Sequence, residues 1–370
     1  MKTVRILGIR GVPATHGGFE TFAEHLSRYL VDRGWRVVVY CQKEGAGQSY
    51  DSSWEGVELV NIPVFGDGAL ATVKFDLHST IHASKFKNDI CLILGYNTAS
   101  FAAILRARGV RTVMNMDGIE WSRAKWGIAA KSWLWLNERA GCHICDALVA
   151  DHPEIARHLQ TRVSAKKITT IAYGGKDVMH ADRSLLDSFD VVPGRFATVI
   201  ARPEPENSLL EIVQAYSRTR RGMPLVVLGK YDDGIAYHRS VIAAASPEVR
   251  FVGAVYDKSI VQALRYFCAF YMHGHQVGGT NPSLVEAMGA GNAIIAHDNR
   301  FNRWVAGSGA LYFSSVEELS DRIAAVLDGA SERDRLSRES KARFSDEFTW
   351  DFILAKYETL LAKTIRASAE

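Results

Sequence analysis

Short, continuously apolar runs recur along the chain and alternate with segments whose apolar residues fall at helical spacing. In the first half the runs cover residues 4–9, 36–41, 57–62, 89–95, 111–116 and 147–150, with helical patterns at 19–32, 100–108 and 122–139. Runs that are apolar at every position, rather than at alternate ones, predict strands covered by helices on both faces, as in a parallel sheet. A polar stretch at 176–195, carrying the turn signal Pro193-Gly194, interrupts the pattern. It then restarts, with strands expected at 196–201, 224–228, 249–252, 267–272, 293–296 and 310–313, and helices at 208–219, 258–266, 282–289 and 316–327. The last segment, 348–363, places Phe352, Ile353, Tyr357, Leu360 and Leu361 at helical spacing. The expected fold class is therefore α/β, with two Rossmann-like doubly wound domains, residues 1–176 and 177–347, followed by a helix within 348–370.

Composition narrows the function classes. With 370 residues, 47% apolar and 23% charged, the chain suits two globular domains. A net charge of +3 lacks the strongly basic stripe of a nucleic-acid binder, so no nucleic-acid partner is expected. No apolar run followed by a small-residue cleavage site opens the chain, and no stretch reaches the ~18 apolar residues of a spanning helix. A cytoplasmic location is expected. Among the five cysteines, Cys142 and Cys145 have CxxC spacing, but no second pair completes a zinc site.

The most informative segment is Gly278-Gly279-Thr280-Asn281-Pro282, which follows an expected strand and opens an expected helix carrying Glu286. Two glycines allow close backbone approach to a ligand. Thr280 or Asn281 can cap the helix, and Pro282 suits its first position. Free N–H groups at such a start favour an anion. Glu286, one turn further in, can accept vicinal hydroxyls such as those of a ribose. The same spacing also fits an ordinary strand–turn–helix joint with a solvated glutamate.

The string Glu286-Ala287-Met288-Gly289-Ala290-Gly291-Asn292-Ala293-Ile294-Ile295 resembles the signature of family 4 glycosyltransferases, which have the GT-B fold. That signature usually carries two glutamates separated by seven residues; here Glu286 is the second, and Gly278 stands at the first. The resemblance implies that Glu286 holds the nucleotide ribose. It puts the usual contact of the first glutamate with the donor sugar in doubt. Gly8-Ile9-Arg10-Gly11-Val12-Pro13-Ala14, Gly17-Gly18-Phe19-Glu20-Thr21-Phe22, His273-Gly274-His275 and His297-Asp298-Asn299 are similar to segments of a bacterial rhamnosyltransferase subfamily. The fold so implied has an amino-terminal acceptor domain and a carboxyl-terminal donor domain facing a central cleft. The last helix packs back on the first domain.

Further candidates follow from chemistry and from the resemblance together. Arg202, at a strand end, can grip a diphosphate through its guanidinium fork, as an arginine of the family does there. A lysine common six residues later is Ser208 here, and Lys230 is the alternative second cation. The amides of Gly17 and Gly18 open a helix and are candidates for the donor diphosphate or the acceptor, with Glu20 beside them. The Gly8-x-Arg10-Gly11 run breaks the dinucleotide fingerprint, which disfavours a dehydrogenase. Near Asn115, Asp117 and Glu120 many relatives place a histidine on the sugar 6-hydroxyl. Its loss is compatible with a 6-deoxy sugar, and Asp117 or Glu120 can also take an acceptor hydroxyl; an Asp-Gly turn is the other reading. His275, His297 and Asp298 are candidate acceptor or sugar contacts, with His275 alternatively ordering the phosphate loop and the 297–299 loop lying near base or ribose; Asn299 and Asn302 are candidates to read the base edge, and no metal is expected. Trp121, Arg123, Lys125, Trp126, Lys131, Trp133 and Trp135 mix aromatic and cationic groups, as a face on an anionic inner-membrane surface would.

The expected activity is a retaining, metal-independent and cofactor-free sugar transfer. The donor is a nucleotide diphosphate-sugar, with thymidine diphosphate-rhamnose expected first and a uridine diphosphate-hexose second. The acceptor is a glycan or lipid-linked saccharide, in bacterial surface polysaccharide synthesis. A nucleotide-sugar epimerase on the same scaffold is the alternative, as is a non-catalytic sensor.

Overall fold

A computed structural model describes residues 2–15, 17–66, 68–123 and 125–366. The chain forms two compact units, one of Met1–Tyr173 with Trp350–Glu370 and the other of Gly174–Thr349.

The first unit is an eight-stranded sheet. Its elements are β1 (Thr3–Leu7), α1 (Gly18–Asp32), β2 (Arg36–Glu44), β3 (Tyr50–Trp54), β4 (Val57–Val64), α2 (Ala69–Ala83), β5 (Ile90–Leu94), α3 (Ala102–Ala107), β6 (Arg111–Asn115), α4 (Ile128–Ile144), β7 (Ala147–Ala150), α5 (Pro153–Gln160) and β8 (Ile168–Thr170). The strand order is β3-β4-β2-β1-β5-β6-β7-β8, parallel throughout except that β3 runs antiparallel to β4. Chain order reverses between β1 and β5, the switch point at which doubly wound sheets take ligands. There Gly8 is obligatory: at φ 84° a Cβ would lie 2.3 Å from the Leu94 carbonyl oxygen.

The second unit comprises β9 (Ala197–Ile200), α6 (Leu209–Ser217), β10 (Leu225–Leu228), α7 (Ala236–Ala243), β11 (Val249–Gly253), α8 (Lys258–Phe267), β12 (Phe270–His273), α9 (Pro282–Gly289), β13 (Ile294–His297), α10 (Arg300–Ala306), β14 (Ala310–Phe313), α11 (Val316–Asp328) and α12 (Ala330–Glu347). Its all-parallel sheet has the order β11-β10-β9-β12-β13-β14, with the switch point between β9 and β12. Buried residues of its strands pack against those of α6 and α11 on one face, including Val199, Val227, Met272, Ile295, Ile212 and Ile323. Residues of α8, such as Ala263 and Leu264, cover the other. The chain enters and leaves this unit side by side: Gly175 N–H donates to the Phe348 carbonyl (2.8 Å), which sets the unit limits at 174 and 349 against the expected 177 and 347.

The final helix, α13 (Trp350–Arg366), belongs to the first unit. It buries Ile353, Leu354, Tyr357 and Leu361. Phe22 of α1 packs against Tyr357 with ring centroids 4.5 Å apart and planes tilted by 47°, and Glu358 accepts hydrogen bonds from Trp35 Nε1 and Tyr29 Oη. Each fully buried side chain of this size contributes about 1.5–3 kcal/mol, so α13 is an integral part of that core.

One expected element changes form. The helix read over 122–139 is two pieces, a 3-10 turn at Glu120–Ser122 and α4 from Ile128. Glu120 closes the turn locally through Arg123, Trp121 is tied to Glu138, and Gly127 is extended at the start of α4, so the chain cannot wind through as one helix.

Candidate active site

In the second unit, site residues gather where the parallel strands end. Ile200 pairs opposite Leu228, so Arg202 and Lys230 each emerge two residues past the ends of neighbouring strands. Both are exposed, and neither side chain has a partner among the described residues. Two unpaired cations at one sheet edge make a favourable position for a polyanion.

The loops around them are held from behind. Ser208, in a left-handed conformation (φ 50°), donates from Oγ to the Gly274 carbonyl at 2.8 Å and accepts from Gln276 Nε2 at 2.9 Å. Gln276 N–H reaches the Glu206 carbonyl (2.9 Å), and Asn207 Nδ2 reaches that of Arg202 (2.9 Å). Ser208, where the resemblance leads to the expectation of a lysine, thus joins the loop after β9 to the loop after β12.

Beyond that joint the chain passes through Gly278 and Gly279 into α9. Asn281 caps the helix, its Oδ1 accepting from Ser283 N–H at 3.0 Å, with Pro282 at the first position and Thr280 buried. Gly278 sits at φ 122°, with nothing within 4 Å of where a Cβ would lie. The space is open but the backbone is a glycine conformation. A glutamate on this backbone would be strained. Glu286 lies one turn into α9, partly exposed, and pairs with Arg265 (Nη1 to Oε2, 2.6 Å).

The histidines form the next edge. His273 is buried, and neither ring nitrogen finds a hydrogen-bond partner among the described residues. Burial, and then neighbouring His275, hold its pKa well below the usual range, so it is neutral. His275 stacks on it at 4.4 Å. Asn299 and Asn302 both donate to the His275 carbonyl (3.0 and 2.9 Å), and Asn302 also to that of His297 (2.9 Å). These amides, expected near the base, pin the loops after β12 and β13. Asp298 is gripped by both arms of Arg303, which holds its carboxyl below the usual range, and burial lowers His297.

In the first unit, Gly17 (φ 24°) precedes Gly18 at the start of α1. Glu20 accepts from Arg10 N–H (3.2 Å) and Glu24 from Ala14 N–H (2.7 Å), so two carboxylates of α1 order the loop before it. Asn115 is buried: Nδ2 donates to Tyr357 Oη at 2.7 Å, and Oδ1 accepts from Asp117 N–H at 2.9 Å. It therefore sets the strand end rather than offering its amide outward. Asp117 takes a left-handed conformation (φ 50°), and burial, with Glu120 nearby, pushes its carboxyl up to about 6. For Glu120 burial acts in the same direction, but Arg123, Lys125 and Trp126 outweigh it and hold the group below the usual range. The two neighbouring carboxyls thus differ in proton affinity near neutrality, an arrangement suited to binding a hydroxyl. Trp121 turns inward to Glu138 (2.7 Å), a buried carboxylate that also binds His158 and Arg162.

Two features behind the site escaped the sequence reading: Arg265 and the Ser208–Gln276 joint. Arg265 carried a usable signal, because it lies four residues after Val261 and beside Leu264, on the inward face of an amphipathic helix. The CxxC cysteines are both buried, and burial pushes their thiols up to about 11 for Cys142 and about 12 for Cys145, so both are protonated at neutral pH. No group of three or more metal-capable side chains comes together among the described residues.

Residues 1–176 match a family described as a domain of unknown function (DUF1972), and residues 208–359 match a family described as glycosyl transferase-like. A phosphatidyl-myo-inositol mannosyltransferase of Mycolicibacterium smegmatis is 28% identical over 228 residues, covering 58% of this chain; the chain spans 57% of that relative's length. Among solved structures, sucrose-phosphate synthase from Thermosynechococcus elongatus has a TM-score of 0.83 at 14% identity, over 99% of this chain and 100% of that one. HepE of Anabaena, solved in complex with UDP, has a TM-score of 0.77 at 13% identity, over 98% and 100%. Residues 208–359 thus carry a glycosyl transferase-like domain, and the two doubly wound units share the GT-B fold of these structures.

Proposed function

We propose that the chain transfers a sugar, with retention, from a nucleoside diphosphate-sugar to a saccharide or lipid-linked saccharide acceptor in bacterial surface polysaccharide synthesis. The observation that carries this reading is the edge at the second unit's switch point. Arg202 and Lys230 stand unpaired there, the residue 278–281 amides lead into α9, and Glu286 follows one turn later. As the glycosidic bond breaks, negative charge grows on the β-phosphate of the leaving group. Arg202 and the α9 amides lower the barrier by being in place for that charge. The proton of the attacking hydroxyl passes to the leaving phosphate, so no separate protein base is required. Asp117 and Glu120, with Glu20 and the Gly17–Gly18 amides, are the first unit's contacts for acceptor or sugar. His275, His297 and Asp298 border the nucleotide end. Rhamnose from thymidine diphosphate-rhamnose is the first choice of donor; it is supported by Gly278 in place of the sugar-binding glutamate and by the absence of a histidine near Asp117. A uridine diphosphate-hexose is the second, supported by the UDP complex of HepE.

Nucleoside diphosphates should raise the melting temperature, by roughly 2.7 kcal/mol of added stability at a hundred times the dissociation constant. Release of nucleoside diphosphate should require acceptor. A panel in which no nucleoside diphosphate shifts the melting curve would sink the proposal.

The second part of the reading is a membrane-facing surface on the first unit. No described helix is long and apolar enough to cross a membrane. Yet α4 leaves large apolar side chains in solvent, with Ile128 86%, Leu136 57%, Trp133 44% and Trp135 38% exposed. Cations flank them: Arg139 lies over the Trp135 ring at 3.4 Å, Lys125 over Trp126 at 4.7 Å, and Lys131 borders the groove between Trp121 and Leu136. Exposed tryptophan and aliphatic groups beside lysine and arginine suit the interface of an anionic bilayer. The mannosyltransferase relative is named for a lipid, phosphatidyl-myo-inositol, which supports a lipid-linked acceptor. The protein should sediment with phosphatidylglycerol vesicles and not with phosphatidylcholine ones. Ile128→Asp with Leu136→Asp should weaken that binding by roughly tenfold or more. Equal recovery with both lipids would remove this part of the reading.

A further inference from the structure

In the first unit, α4 and the 3-10 turn before it border a groove of about 610 Å³, within the usual size of a small-molecule site. Trp121 and Ser122 of the turn form one wall, and Lys131, Ser132, Trp135 and Leu136 of α4 form the other. Residues 131 and 135, like 132 and 136, are one helical turn apart, so the four make a continuous strip. The strip lies outside the buried set of α4, which includes Leu134, Asn137 and Glu138. The turn is pinned from behind. Trp121 Nε1 donates to Glu138 at 2.7 Å, and Glu138, only 1% exposed, is itself held by Arg162 (2.5 Å) and His158 (2.9 Å). One residue earlier, Glu120 N–H donates to the buried Tyr96 hydroxyl at 2.8 Å. Across the groove, Arg139 covers the Trp135 ring. Both walls therefore stand before any ligand arrives, and little affinity is lost to ordering them.

The lining selects a ligand with two chemistries. Two indoles and the exposed Leu136 supply apolar walls. Lys131 is the one charged residue among the six that line the groove, and it has no partner among the described residues. Ser122 Oγ is already spent on the Ile119 carbonyl at 2.7 Å. An unpaired ammonium beside apolar walls matches an anionic head on a hydrocarbon chain. A free saccharide would leave Leu136 and the cation unmatched. We propose that this groove seats one lipid phosphate, the chain-bearing end of the acceptor. Lys131 meets the phosphate, and the first carbons of the chain lie between Trp121, Trp135 and Leu136. This rests on the reading of the acceptor as lipid-linked, and it goes beyond a bilayer contact. A single lipid is held in a built site, on the same turn that carries Glu120.

Calorimetric titration of the wild-type protein with geranyl phosphate, below its micelle concentration and with no bilayer present, tests this against geraniol and inorganic phosphate. Each methylene taken out of water adds about fourfold to affinity, so burying two or three makes geranyl phosphate bind at least about tenfold tighter than phosphate. It should also bind about tenfold tighter than geraniol, the gain from a hydrogen bond to a charged group. Lys131→Glu should remove the advantage over geraniol. Ser132→Trp, which fills the groove, should weaken both geranyl compounds by roughly tenfold. Neither side chain has a hydrogen-bond partner among the described residues, so both variants should melt with the wild type. Geranyl phosphate that binds no tighter than geraniol or phosphate overturns the proposal. It does so even where the protein sediments with phosphatidylglycerol vesicles, because only the bilayer contact then stands. A loss in Ile128→Asp, outside the groove, as large as in Ser132→Trp also overturns it, since the whole exposed face then takes the chain. The glycosyl-transfer reading fails separately, if geranyl phosphate binds while no nucleoside diphosphate shifts the melting curve.

Discussion

Arg202→Ala is expected to lower acceptor-dependent turnover by roughly 10²- to 10³-fold, the usual cost of removing one group aimed at charge that develops in the transition state. Its melting temperature should scarcely move. The side chain is exposed and partnerless among the described residues, and substitutions of that kind usually stay within about 0.5 kcal/mol. Function and stability thus separate cleanly at this position. Arg202→Lys should recover only part of the loss, because an ammonium keeps the charge but not the planar two-donor fork. Steady-state kinetics with a fixed acceptor, set beside a melting curve, measures both quantities. An alanine variant that turns over like the wild type would remove Arg202 from the chemistry.

Gly274→Ala should do the reverse and act first on the fold. A Cβ at Gly274 would lie 2.2 Å from the Asn207 carbonyl oxygen, 2.9 Å from Ile212 Cδ1 and 3.0 Å from Ser208 Cβ. None of these can swing away: Asn207 and Ser208 are held by hydrogen bonds, and Ile212 lies in the core. Forced repacking of this sort costs about 1–3 kcal/mol, and backbone overlap puts Gly274 at the upper end. For a unit of this size that corresponds to a fall of roughly 5–10 °C in melting temperature. Nucleotide affinity should fall as well, since the displaced joint carries the loops bearing Arg202 and Gly278. Gly278→Ala is the useful contrast. Its Cβ would enter open space, so only the cost of a positive φ applies, about 1 kcal/mol. A Gly274→Ala protein as stable as the wild type would show that the loops separate freely.

The core strands were legible because each is a buried parallel strand, apolar on both faces, and that leaves an unbroken hydrophobic run. β3 was not legible for the opposite reason. It is an exposed antiparallel edge strand, Tyr-Asp-Ser-Ser-Trp, whose polar side chains face solvent and leave no run to detect. Helix α12 was missed for a similar cause: among its 18 residues only Leu336, Ser340 and Phe344 are buried. At the site, backbone chemistry was readable. Asn281, Pro282 and the two glycines announce a helix start, and α9 begins at Pro282. Side-chain partners distant in sequence were not readable. Nothing local to Glu286 indicates that an arginine 21 residues earlier meets it at 2.6 Å. The same holds for Asn115, whose amide is turned inward by a tyrosine 242 residues away.

That tyrosine belongs to α13, and its place in the chain bears on how the protein is made. The first unit is interrupted: its sheet is translated first, then the whole second unit, and only then the helix that covers Phe22 and satisfies Asn115. While the second unit is being synthesised, the first stands with an open apolar seam along α1 and an unmet amide at the end of β6. On the ribosome the first unit stays unfinished until α13 follows the second unit out. Truncation just before α13 would therefore damage the unit whose sheet was made earlier rather than the one beside the cut.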